Sequence, residues 1–237
     1  MNFLRNLFSW FISLKKVLTR NTEIILSEST KQILQRIAQE FCDFGSAKKE
    51  KNCCLVMGLT GSGKRKLIRN HSQFEGWFVL DDYSILALIE ENCPVFDGMN
   101  RQSLEYFNLI QAHLNYVKHI VLFRAFQKGI AVLSSGSNLR KEDRAVTISL
   151  AKEFGYFQSI VLVQYKAEDL ITNKTYEQRF EDFSSSEVSS YQAPSLAEPS
   201  HVFAMNFMDY INPPIPLNKP LILTPLELQL KQELHRI

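Results

Sequence analysis

An apolar run, Cys53 to Met57, stops at Gly58; Gly61 and Gly63 follow at short spacing, then Lys64 and a segment with helical character. The order strand, glycine-rich turn, helix is the grammar of a phosphate-binding loop, because the turn and the helix start offer unpaired backbone N–H groups to an anion. Glycine lets such a turn pass through positive φ and bring its backbone against a phosphate with no Cβ between. Lysine supplies an ammonium on a long stem. The match to GxxxxGK runs from Gly58 through Leu59, Thr60, Gly61, Ser62 and Gly63 to Lys64. The next position, where the pattern has Ser or Thr as a magnesium ligand, is Arg65. The plainer reading is a structural turn that happens to carry a lysine.

Around this stretch the chain alternates apolar runs with helical patterns. Trp77 to Leu80, Ile130 to Leu133 and Ser159 to Gln164 read as three more strands. Between them lie helical segments from Lys64 to before Gly76, Tyr83 to Glu91, Arg101 to Lys128 and about Asn138 to Phe154. Strands and helices alternating at this spacing predict an α/β fold, a parallel sheet with helices on both faces. Asn138 or Ser137 reads as the cap of the last helix. His113 and His119 lack the four-residue spacing of a metal pair on one helical face and read as ordinary packed or surface residues.

The strand Trp77 to Leu80 runs into Asp81 and Asp82. Carboxylates at the C-terminal end of a strand sit where open α/β sheets place their chemistry. Either could take a proton from a hydroxyl as a general base. The alternative is a helix N-cap, a position Asp favours.

The flanks differ from this core. Residues 1–50 read as an N-terminal helical extension, 51–183 as the α/β domain, and 184–237 as a Ser/Pro-rich linker and extended tail. In 1–21, apolar residues fall at helical spacing with Arg5, Lys15, Lys16 and Arg20 and no acid, which suits a membrane surface or a protein contact. Its apolar stretch is shorter than the roughly 20 residues of a span. A second helix is expected from about Ser29 to Phe44, capped by serine, with Ile33, Leu34, Ile37, Ala38 and Phe41 buried. Seven of the eight prolines fall between Pro194 and Pro225, which excludes regular helix or inner strand across 212–220. A net charge of +2 does not argue for nucleic acid by itself, and four cysteines without CxxC spacing fit a reducing, cytoplasmic setting.

With these pieces placed, residues 53–179 resemble the P-loop kinases of the polynucleotide kinase and zeta-toxin group. The resemblance rests on GLTGSGK at 58–64, GWFVLDDYS at 76–84, and GIAVLSSGSNLRKEDRA at 129–145 followed by AKEFGY at 151–156. It implies a nucleotide-kinase-like P-loop NTPase fold and ATP, or another nucleoside triphosphate, as ligand. It also implies Lys64 as the clamp on the transferred phosphoryl group and Asp81 as the base on the acceptor hydroxyl. That hydroxyl would belong to a nucleic-acid end, a nucleotide sugar or a small molecule, with nucleic acid entering only as substrate. Against the family pattern, Arg65 stands in place of the metal-ligand hydroxyl, Ser84 in place of a substrate-phosphate arginine, and Gly136 in place of the third block's Asp. In the lid region Asn173 lies near the first arginine, leaving Arg179 and Lys174 as cations. These departures put magnesium in doubt. They also open a second reading, a nucleotide-binding module with little turnover.

Overall fold

The apolar run ahead of the glycines lies at the centre of a five-stranded parallel sheet. A computed structural model describes residues 26–58, 63–101, 103–136, 138–164 and 201–206. In chain order they form α1 (Glu28–Glu40), β1 (Asn52–Met57), α2 (Lys64–Asn70), β2 (Phe78–Asp81), α3 (Asp82–Asn92), α4 (Leu104–Gln127), β3 (Val132–Ser135), α5 (Lys141–Glu153), β4 (Phe157–Gln164) and β5 (His201–Asn206). Short 3-10 turns occupy Ser72–Phe74 and Pro94–Phe96. The strand order is β2-β3-β1-β4-β5, and every pairing is parallel. The expected α/β class is therefore observed.

Because β1 is paired on both edges and covered on both faces, its side chains are apolar without alternation, as an inner parallel strand requires. Cys53, Leu55 and Met57 point into the larger core with α1, α3, α4 and α5. Cys54 and Val56 point to the opposite face, against Leu67 of α2, Phe74 and Val161. All four cysteines are buried free thiols, and burial pushes Cys54 up to about 11, so it is inert at neutral pH.

Three boundaries differ from the sequence reading. First, α1 begins after Ser27, whose hydroxyl accepts from the Thr30 N–H at 3.1 Å, and ends at Glu40 rather than Phe44. Second, β3 sits two residues later than expected, so Ser134 and Ser135 belong to the strand and reach the C-terminal edge of the sheet. Third, β5 adds a strand in the stretch assigned to the linker and tail, pairing with β4 from Ser159 opposite His201 to Gln164 opposite Asn206. Proline is absent from His201–Asn206, so nothing there forbids pairing. The calls on 1–21, on the lid residues Asn173, Lys174 and Arg179, and on the proline-rich stretch 212–220 lie outside the described residues. No helix among the described residues is long and apolar enough to cross a membrane.

The long helix α4 is buried on most sides along its second half, between α1, α3, α5 and the sheet. His113 and His119 are packed rather than surface residues, each 1% exposed. The His113 ring pairs through Nδ1 with the Leu109 carbonyl at 2.7 Å and lies edge-on to Phe96. Burial pushes His119 down to about 4. An unfolded histidine titrates near 6.5, so as pH falls from about 6.5 toward 4 the unfolded chain gains a proton that the folded chain does not. Stability is lost across that window, by on the order of 3 kcal/mol for this one group. Urea unfolding at pH 7 and pH 4.5 should show the loss, and His119→Gln should flatten the slope.

Candidate functional site

The chemistry-bearing residues collect at the C-terminal edge of β1, β2 and β3. Register levels Val56 with Ser135, and Ser135 with Asp81, so the ends of these three strands lie side by side. Gly58 follows β1 directly, and Gly63 is the N-cap of α2 at φ 83°, a left-handed conformation that calls for glycine. Lys64 opens α2 and is 5% exposed; its Nζ donates to the Gly58 carbonyl at 2.7 Å, across the base of the turn. Leu59, Thr60, Gly61 and Ser62, the tip of the turn, lie outside the described residues.

The two acidic residues part company because β2 passes into α3 with no linker. Asp81 remains extended at the N-cap position, yet its carboxylate makes no capping bond to the helix backbone. Instead Oδ2 accepts from the Arg65 guanidinium at 2.6 Å and from the Ser84 hydroxyl at 2.9 Å. The capping alternative is thus not what the carboxylate does. Arg65 also lies over the Tyr83 ring, 5.3 Å from its centroid, and its side chain is 59% exposed.

Asp82 turns inward. Its Oδ2 accepts from Lys118 Nζ at 2.9 Å, a pair buried beneath the sheet edge. Burial raises the Asp82 carboxyl against the opposing pull of Lys118, and the nearby Asp81 and Asp143 carboxylates add to the rise. Lys118 played no part in the sequence reading. Its signal was a lysine inside the apolar run YVKHIVL, flanked by residues that had to be buried.

The pair explains Gly136. A Cβ built there would lie 2.0 Å from Asp82 Oδ2 and 2.7 Å from its Cγ. The position that carries Asp in the family pattern is glycine here because another carboxylate already fills the space. After it, Asn138 adopts φ 50° and donates through Nδ2 to the Val56 carbonyl at 3.1 Å, tying the loop after β3 to the end of β1. Asn138 therefore does not cap α5; the N-cap is Arg140, without a side-chain bond. Arg144, fully buried, donates through Nη1 to the Asn138 and Leu139 carbonyls at 3.0 and 2.9 Å and meets the Met57 sulfur at 3.9 Å. Its signal was its place four residues before Ile148 and seven before Ala151, on the core stripe of α5.

Magnesium, which a nucleotide site of this plan would ordinarily employ, does not fit this donor set. Arg65 has donors and no lone pair to give. A divalent ion about 4 Å from its guanidinium would feel roughly twice the ~4 kcal/mol repulsion of two unit charges in a dielectric of about 20. Both nearby carboxylates already hold a protein cation.

No protein-family model matches the sequence, and no curated protein matches it. Among solved structures, one from the PezAT chromosomal toxin–antitoxin system of Streptococcus pneumoniae superposes with a TM-score of 0.51 at 16% identity, covering 78% of this chain and 79% of that one. A candidate kinase from Chloroflexus aurantiacus superposes at 0.50 and 10% identity, covering 80% and 98%. The fold is P-loop kinase-like. At these identities the likeness carries the architecture, and the chemistry must be argued from this chain's own residues.

Gly136→Ala is expected to cost about 1–3 kcal/mol in urea unfolding, the usual range for overpacking. Gly136→Asp should cost more, because it sets a second carboxylate against Asp82.

Proposed function

We propose that the chain binds ATP or another nucleoside triphosphate and transfers a phosphoryl group to a hydroxyl, as a kinase of the polynucleotide kinase and zeta-toxin group. The acceptor class is a nucleic-acid end, a nucleotide sugar or a small molecule. The observation that carries this reading is the shared level of Asp81 and the β1 exit across one intervening strand. Two strand spacings put them roughly 10 Å apart, room for an acceptor hydroxyl and a phosphoryl group between base and clamp.

In this reading the backbone from Gly58 to Gly63 wraps the phosphates, and Lys64 exchanges the Gly58 carbonyl for phosphate oxygens. Asp81, oriented by Ser84, takes the acceptor proton once Arg65 has moved off it. Phosphoryl transfer depends on positioning and charge neutralisation, so these few groups account for most of what the protein must supply.

A second reading has its own observation. Arg65 closes on Asp81, and Ser84 brings no charge to an acceptor phosphate. A nucleotide-binding module with little turnover would tolerate both. Its output would pass through residues 1–21, held against a membrane surface or a protein in the cytoplasm.

Purified protein incubated with labelled ATP, with and without magnesium, and a panel of 5′-hydroxyl oligonucleotides and nucleotide sugars tests the two readings. Lys64→Ala should lose nucleotide binding and transfer together. Asp81→Asn should keep binding and lose transfer by roughly 10²- to 10⁴-fold, the range of a general base. Binding by the wild type with no transfer to any acceptor would select the module. For that module, deletion of residues 1–21 should abolish flotation with anionic liposomes; equal recovery of both proteins in the soluble fraction would remove the membrane contact.

A further inference from the structure

We infer that this site takes its nucleoside triphosphate free of magnesium, with Arg65 as the counter-cation that the metal would otherwise be. The inference rests on the nucleotide-binding reading above and goes beyond it, since it assigns a residue to the metal's charge and a chemical form to the ligand.

Position comes first. Arg65 is the second residue of α2, directly after Lys64, at the place where a hydroxyl would turn to a metal between the phosphates. A guanidinium there offers planar N–H donors that match phosphate oxygens two at a time. Its side chain is largely exposed and rests on an aromatic ring, so nothing buried has to be dismantled for it to swing.

Charge comes second. Among the described residues at this edge, Lys64, Arg65, Lys118 and Arg144 stand against Asp81 and Asp82. The neighbouring Arg140–Asp143 pair, 3.0 Å apart, cancels itself. The edge is therefore positive before any ligand arrives, as a metal-free polyphosphate requires. A site built for a metal complex would keep a carboxylate or hydroxyl turned outward. Here Asp82 is committed to Lys118 below the edge and Asp81 to Arg65 above it. Gly136 cannot restore the missing acid, because Asp82 occupies the space its side chain would need.

The arrangement also gives Arg65 two alternative anions, the Asp81 carboxylate and the incoming phosphate. When phosphate takes the guanidinium, Asp81 keeps Ser84 and is released to face the acceptor.

Calorimetry of the full-length protein with ATP, and separately GTP, in excess EDTA and in excess magnesium decides the matter. Binding in EDTA at least as tight as in magnesium is the expected result for the wild type. Arg65→Thr should weaken binding in EDTA by roughly 10- to 100-fold, the worth of a charge-assisted hydrogen bond, and should recover part of it when magnesium is added. Arg65→Lys, which keeps the charge, should bind in EDTA more tightly than Arg65→Thr. Wild-type binding seen only with magnesium, or roughly tenfold tighter with it, overturns the inference and leaves the nucleotide-binding reading standing. No heat under either condition overturns both.

Discussion

A lysine buried in the middle of a helix needs an anion, and much of this sheet edge follows from where that anion comes from. Desolvating Lys118 alone would cost several kcal/mol; Asp82, at 2.9 Å, meets it. To do so Asp82 has to turn inward at the first residue of α3, which leaves Asp81 facing out. It also has to occupy the volume above β3, which fixes position 136 as glycine. One buried ion pair thus determines which of two adjacent carboxylates is available at the edge and what can follow the third strand.

Much of the architecture was legible because burial on both faces of a parallel sheet leaves a plain signature. Cys53 to Met57 is apolar throughout, and the strand–helix alternation around it reports the fold class. The buried stripe of α1, with Leu34, Ile37 and Ala38, follows from helical spacing alone. What escaped the sequence were pairings between distant residues. Asp82 with Lys118 spans 36 positions and Asn138 with Val56 spans 82, and no local pattern encodes either. The shift of β3 onto Ser134 and Ser135 was hidden for a related reason: serine resembles a turn residue until its neighbours bury it.

The departures from the kinase pattern look independent when read along the chain, yet the structure couples them. Arg65 and Asp81 are partners, Ser84 orients the same carboxylate, and Gly136 answers to the residue next to it. A substitution at one of these positions is felt by the others, so energetic effects among them should not add. The tie from Asn138 to β1, reinforced by Arg144, further makes the root of the glycine turn and the loop after β3 one mechanical unit.

The fifth strand has a bearing on how the protein can be cut. By composition, 184–237 looks dispensable, yet His201–Asn206 supplies the hydrogen-bonding partner of β4 along six residues. A fragment ending at residue 183 would leave β4 as an open parallel border with its amides and carbonyls unsatisfied, a template for other chains. Self-association of such a fragment would then report a missing neighbour strand rather than an intrinsic tendency of the nucleotide-site half to assemble.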